Sequence, residues 1–235
     1  MTEIDPPLPR TASILLYAGP LSMFSAKVEI ALREKNLAYT RELVPFSLKA
    51  GYAPRHPVVV AGNPKGQVPV IVHEGMLLYD STQIFEYLED IAPGVPLWPC
   101  DPRARARARQ WEHWSDEILF AAALRLLDRN MTADDRRAAI AAVGDHLAAL
   151  EAHMEGRRYI ADVFGFADIA IFMTDFFAVL FGAPRHHRPN IDAWRARLTD
   201  RETVRAVAEP MAHFAETLGL RRSDDLFSRQ GTPDG

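Results

Sequence analysis

Asn63-Pro64-Lys65-Gly66-Gln67-Val68-Pro69-Val70, followed by Asp80-Ser81 at the head of a helical run, is the stretch on which the fold turns. Proline cannot donate to a sheet ladder, so a Val-Pro pair entering a β-rich segment does not fit an ordinary strand. A cis Val68–Pro69 bond resolves the conflict. It turns the Val68 backbone outward, so that its N–H and C=O pair with a ligand. Beyond a turn at Glu74-Gly75, Asp80-Ser81 then sets an anionic acceptor and a helix N-terminus beside that backbone. A peptide-like ligand with an amine at one end and carboxylates along it suits this arrangement.

Working outward, Ile14-Leu15-Leu16-Tyr17 reads as a buried strand and Ala18-Gly19-Pro20 as a loop. From Ser22-Met23-Phe24-Ser25 to Leu32 the apolar residues fall at helical spacing. Leu37 to Leu43 follows as a second strand. In this order the pieces resemble the glutathione-binding half of the soluble glutathione transferases. Serine stands where thioredoxin-like relatives carry the first cysteine of a redox pair. The resemblance extends to about Ala208. It implies an α/β plus all-α chain, with a thioredoxin-like βαβαββα domain followed by an all-helical one. It further implies a serine-type bacterial member acting in detoxification, as a homodimer with glutathione as co-substrate.

The expected organisation is a loose tail at 1–12, a glutathione-binding domain at 13–92, a proline-rich linker at 93–102, a helical domain at 103–221 and a disordered tail at 222–235. In the linker, Leu97-Trp98 forms an apolar plug. Helices are predicted at 103–129, 133–155, 167–182, 190–199 and 202–218, and no internal repeat is found. At Gly165 the family's usual capping serine or threonine is missing. Only half of the reciprocal capping pair remains, through Asp168, at an expected cost of a few tenths of a kcal/mol.

Composition sets bounds. At 235 residues, 48% of them hydrophobic, the chain has room for two modest cores. The mean hydropathy of -0.12 is that of an ordinary globule, and no apolar run approaches membrane-spanning length. The acidic, proline-rich start, Met1 to Arg10, resembles neither a secretory signal nor a transit peptide. The single cysteine, Cys100, excludes an intramolecular disulfide and suits a reducing cytoplasm. A net charge of -4 gives no general attraction to nucleic acid.

The chemistry that the resemblance implies is formation of a thiolate at neutral pH. A free thiol with pKa about 8.5 is only a few per cent ionised at pH 7. Ser22, at the head of the first helix, is the candidate donor to the glutathione sulfur; its other role is a simple cap. Ser25 and Tyr17 are rivals, the first as a support one turn on, the second as a core aromatic. With serine at both redox positions, dithiol exchange is excluded. By resemblance, Val68 pairs its backbone with the cysteinyl unit, and Gln67 and Lys49 serve the glycine carboxylate. Asp80 accepts the γ-glutamyl amine, Ser81 meets the γ-glutamyl carboxylate, and Phe24 borders both ligands. The electrophile pocket is expected to be lined by Met23 and Phe24 on one side. On the other it is expected to hold Trp111, Trp114, Ile118 and the Phe172, Phe176, Phe177 cluster. The histidines show no zinc spacing, and no metal is expected.

Two points complete the expectations. Arg103, Arg105, Arg107 and Arg109 form two opposed stripes on a helix, and at least one is expected to meet Glu86, Glu89 or Asp90 across a two-fold interface. The leading function is attack of glutathione on a hydrophobic electrophile. Disulfide reduction, ether cleavage, isomerisation and non-catalytic ligand binding are the alternatives.

Overall fold

β1 (Ile14–Ala18) buries Ile14, Leu16 and Ala18 and becomes an inner strand of a four-stranded sheet. The computed structural model describes residues 13–92, 94–128 and 130–221; the expected tails at 1–12 and 222–235 lie outside the described residues. α1 (Met23–Glu34) returns the chain to β2 (Tyr39–Leu43), which pairs parallel to β1, Leu16 opposite Arg41. A short α2 (Pro57–Gly62), which no residue pattern had placed, opens on a proline at its first position. β3 (Val70–His73) and β4 (Met76–Tyr79) then form a hairpin. Its two-residue turn has Glu74 at φ 51° and Gly75 at φ 81°, the doubly positive pair that matches strand twist. β3 runs antiparallel to β1, giving the order β2-β1-β3-β4. This is the thioredoxin-like arrangement expected from the sequence.

α3 (Ser81–Ile91) packs on α1, and the linker plug behaves as predicted. Leu97 and Trp98 are buried, Trp98 against Phe166, which itself stacks on Phe85 at 4.0 Å. Glu89 holds the plug in place, accepting from Leu97 N–H and Trp98 N–H while pairing with Lys35 at 2.7 Å. The helical segment follows with α4 (Pro102–Trp114), α5 (Phe120–Leu124), α6 (Ala133–His153), α7 (Phe166–Leu180), α8 (Pro189–Thr199) and α9 (Glu202–Thr217). α7 is buried along its whole length, as an all-round apolar helix must be. It packs against α1, so sheet and helical segments share one apolar core.

The predicted continuous helix at 103–129 is broken. After Trp114 the chain widens into a π-helical turn, Ser115–Leu119, and after α5 tightens into a 3-10 turn, Arg125–Leu127. Ser115 Oγ shares a 2.8 Å hydrogen bond with Thr174 Oγ1 of α7, which fixes the start of the wide turn. Among the described residues no helix is long and apolar enough to cross a membrane.

At Gly165 the structure keeps the expected half of the capping pair, the Gly165 N–H donating to Asp168 Oδ2 at 3.1 Å, and adds a second constraint. A Cβ there would lie 2.2 Å from the Leu97 carbonyl oxygen, which accepts the Phe166 N–H at 3.0 Å. Glycine is needed there for close approach between linker and α7, beyond its part in the cap. Gly165→Ser, favourable by capping preference alone, is expected to destabilise by about 1–3 kcal/mol. A urea midpoint lowered at constant m would show this, and a raised midpoint would contradict it.

One of the four arginines of the expected stripes, Arg109, has a partner within its own chain. Arg109 grips Glu86 of the same chain through two hydrogen bonds, 3.0 and 2.6 Å, and Glu89 is spent on the linker. The side chains of α3 and α4 meet a second time where the Thr82 hydroxyl donates to Glu112 at 2.8 Å.

Candidate active site

α1 begins at Ser22, whose extended backbone lets its side chain cap the helix by accepting the Ser25 N–H at 3.2 Å. The Ser25 hydroxyl, itself fixed by Gly19 N–H at 3.2 Å, donates to Ser22 Oγ at 3.0 Å. A serine oxygen has two acceptor sites and one proton. Both acceptor sites of Ser22 are filled from within the protein, so its proton is what remains to be given. Ser25 is thus the support that the sequence suggested. Tyr17 is buried with Val44, Val59 and Val70 and packs on His56 at 4.9 Å. Burial, then Glu42, raises its pKa, and it does not line the cavity described next.

Ser22 opens onto a cavity of about 800 Å³. One wall is Leu21 to Phe24, a second the loop around Phe46, Leu48, Tyr52 and Arg55, and a third Gly66, Gln67 and Val68. The Val68–Pro69 peptide is cis, as expected, and so is Ala53–Pro54. The fourth wall is apolar and comes from Phe120, Leu124, Leu127, Phe177, Leu180, Phe181 and Leu220. Phe24 meets Phe120 edge to face at 5.3 Å across the floor.

Several expected residues stand elsewhere. Lys49 is exposed and outside the cavity wall, although its neighbours Leu48 and Ala50 are in it. Asp80 and Ser81 stand at the start of α3, outside that wall. Asp80, at φ 72°, accepts from Thr82 N–H and Gln83 N–H, and Ser81 is buried. Trp111 and Trp114 turn toward α6, Trp111 packing on His153 at 4.3 Å and Trp114 meeting His146 at 5.9 Å. Ile118 points to solvent, and Phe172 and Phe176 are core. Met23 does line the cavity, its sulfur accepting from Thr174 Oγ1 at 3.0 Å.

Tyr52 and Arg55 are among the wall residues not picked out from the sequence. Tyr52 accepts the Leu21 N–H at 3.2 Å, pinning the loop before Ser22, and burial raises the pKa of its phenol. Arg55 reaches the Lys65 carbonyl at 2.9 Å and covers Gly66, where a Cβ would lie 2.5 Å from Nη1. Both come from a loop without periodicity, so no pattern marked them. Among the described residues no group of three or more His, Cys, Asp or Glu is placed to hold a metal ion.

The cis-proline backbone edge at Val68 and the capped Ser22 thus line one cavity, closed on its far side by the helical segment, on a thioredoxin-like sheet. Residues 16–96 match the family model described as glutathione S-transferase, N-terminal domain. The sequence is 32% identical over 202 residues to the probable glutathione S-transferase parC of Nicotiana tabacum, covering 81% of this chain and 86% of that one. The chain belongs to the glutathione S-transferase family. A solved glutathione S-transferase from Methylobacillus flagellatus with glutathione bound matches with a TM-score of 0.72 at 26% identity, covering 83% and 98% of the two chains. A shorter stretch of 57 residues is 51% identical to protein LigF of a Sphingobium strain, covering 23% of this chain and 22% of the relative.

Proposed function

We propose that the protein is a serine-type bacterial glutathione transferase in which Ser22 stabilises the glutathione thiolate for attack on a hydrophobic electrophile. The observation that carries this reading is the filled acceptor set of Ser22 at the wall of a cavity that is apolar on its far side. The Ser22 O–H donates to the sulfur, and the N-terminus of α1 adds its positive end. Lowering a thiol pKa by two units requires about 2.7 kcal/mol, within reach of these two effects. The thiolate sulfur then bonds to the electrophilic carbon, and the leaving group departs with the electron pair.

In this reading residues 13–92 hold glutathione and 103–221 supply the apolar wall. The Val68 backbone pairs with the cysteinyl unit, as an added strand does. Asp80 and Ser81 at the head of α3 receive the γ-glutamyl end. Gln67 and Arg55 take the glycine carboxylate, Arg55 in place of Lys49, because Arg55 borders the cavity and Lys49 does not. The protein is proposed to work as a cytoplasmic homodimer, without nucleic acid, membrane or metal.

The stretch shared with LigF favours a second reading of the same site. A solved LigF structure is described as a beta-etherase. Here the thiolate would attack the carbon bearing an ether oxygen; the C–S bond forms, the C–O bond breaks and the oxygen leaves to take up a proton. Turnover of an aryl halide, an aryl ether, a disulfide and a cis-alkene acid with glutathione separates these readings. Product from the halide or the ether supports transfer or ether cleavage respectively. Turnover of only the disulfide or the alkene reassigns the reaction, and glutathione binding with no turnover across the panel supports a non-catalytic protein.

A further inference from the structure

Lys27 is fully buried, a position that an ammonium group tolerates only when paired. Its Nζ lies 2.7 Å from Asp116 Oδ1 and 3.1 Å from Glu112 Oε1. It also stands 5.4 Å from the centre of the Phe24 ring and 5.3 Å from that of Phe85. Glu112 is held in turn by the Thr82 hydroxyl at 2.8 Å. The thiol chemistry uses none of these groups.

The placement of Asp116 gives the cluster a purpose. Asp116 belongs to the π-helical turn Ser115–Leu119, a rare geometry that gathers at functional sites. Four residues later comes Phe120, and three residues before Lys27 comes Phe24. These are the two rings that meet at 5.3 Å in the cavity. One helical turn from the ring pair, on both segments, the Lys27–Asp116 contact ties α1 to the wide turn.

We propose that the Lys27–Asp116 pair is a positioning clamp for the Phe24–Phe120 wall, so that losing the pair weakens the grip on the apolar part of a ligand and spares the glutathione part. The proposal rests on the glutathione reading above. Burial pushes the Asp116 carboxyl up to about 6, against the pull of Lys27 and with Glu112 adding to the rise. The charged groups facing it are Lys27 from α1 and Glu112 from α4, with Thr82 of α3 reaching Glu112 through its hydroxyl. On α7, Thr174 bonds Ser115 at the start of the turn and brings no charge. When Asp116 takes up a proton, Lys27 keeps Glu112 and the wide turn loses its ionic tie. The fold is not weakened by that step: with a folded pKa above the ordinary 3.8, protonation of Asp116 favours the folded chain as pH falls from about 6 to about 4.

S-methylglutathione and S-hexylglutathione make the test, because both lack an ionisable thiol and they differ only in apolar tail. Their dissociation constants are measured by calorimetry at pH 7.5 and pH 5.0. In the wild type the preference for the hexyl compound is expected to fall about three- to tenfold on acidification, as a pair worth up to one pKa unit sets it. Asp116→Asn is expected to show the low preference at both pH values. An Asp116→Asn variant that keeps the wild-type preference for the hexyl compound at pH 7.5 overturns the clamp. Should that variant fail to fold, Asp116→Ser replaces it in the same comparison. Failure of both compounds to bind the wild type at pH 7.5 overturns the glutathione reading and the clamp with it.

Discussion

Ser22→Ala is expected to lower turnover with an aryl halide about 10- to 100-fold at pH 7, because a charge-assisted hydrogen bond to the thiolate contributes about 1.5–3 kcal/mol. The deficit should close as pH rises past about 9, where the thiol ionises without help. A lost cap costs about 1 kcal/mol, so the variant should still fold. The thiolate absorbance of bound glutathione gives the direct reading, with its apparent pKa shifted upward in the variant. Ser25→Ala should show a milder form of the same change. It removes the hydroxyl that fills one acceptor site of Ser22 and leaves the Ser25 N–H in place. Wild-type rate and pKa in Ser22→Ala would make the residue a cap and nothing more. Tyr52 would then become the hydroxyl to test, since it lines the cavity and pins Leu21.

The backbone that places Ser22, Gln67 and Val68 at the cavity was legible because its constraints are local. A proline at a strand entry, a glycine turn and a serine before an amphipathic run each restrict a few successive φ/ψ pairs, and such restrictions are written in neighbouring residues. The predicted helices at 133–155, 167–182, 190–199 and 202–218 came within two residues of α6, α7, α8 and α9 at either end for the same reason. The apolar wall was legible only in part: Met23, Phe24 and Phe177 line the cavity as expected, and the other expected residues do not. Trp111 and Trp114 lie three apart and were expected to face the cleft, yet the direction of a helical face depends on what packs behind it. Here α6 claims that face through His146 and His153. The π-helical turn then shifts the phase of all that follows, so that Phe120 and Leu124 line the cavity and Ile118 does not. One extra residue in a turn leaves no mark in a hydrophobic pattern. Lys49 failed differently: a charge on a loop says that a cation is near, but the loop backbone decides which side chain turns inward.

Asp168→Ala is expected to remove about 3–5 kcal/mol of stability, the largest loss anticipated from a single change outside the cavity. The carboxylate is fully buried and accepts from the Ile160 N–H at 3.0 Å, the Gly165 N–H at 3.1 Å and the Trp194 indole N–H at 2.8 Å. Alanine strands all three donors, each at about 1–3 kcal/mol before relaxation. A fall in the melting temperature of about 10 °C would report the change in a chain of this length. Asp168→Asn should lose less. An amide oxygen can keep Ile160 and Trp194, which share Oδ1, while its NH2 group confronts the Gly165 N–H. The pH dependence gives the sharper test. Burial pushes the Asp168 carboxyl up to about 6, despite those three donors. The folded chain therefore binds a proton that the unfolded chain does not, between about pH 6 and the ordinary carboxylate value of 3.8. Stability contributed by Asp168 grows on acidification, so the cost of Asp168→Ala should increase from pH 7.5 to pH 5. Asp175 supplies the opposite case on the same helix. Burial pushes its pKa up, but Arg195, 2.6 Å away through Nε, together with Arg185 and Arg188 holds it below the ordinary value. Its contribution should stay level over that pH range and be lost only at lower pH. Parallel urea melts of Asp168→Ala and Asp175→Asn at the two pH values should thus diverge. Equal pH dependence in both variants would mean that Asp168 is held as an ordinary carboxylate, by its three donors and not against them.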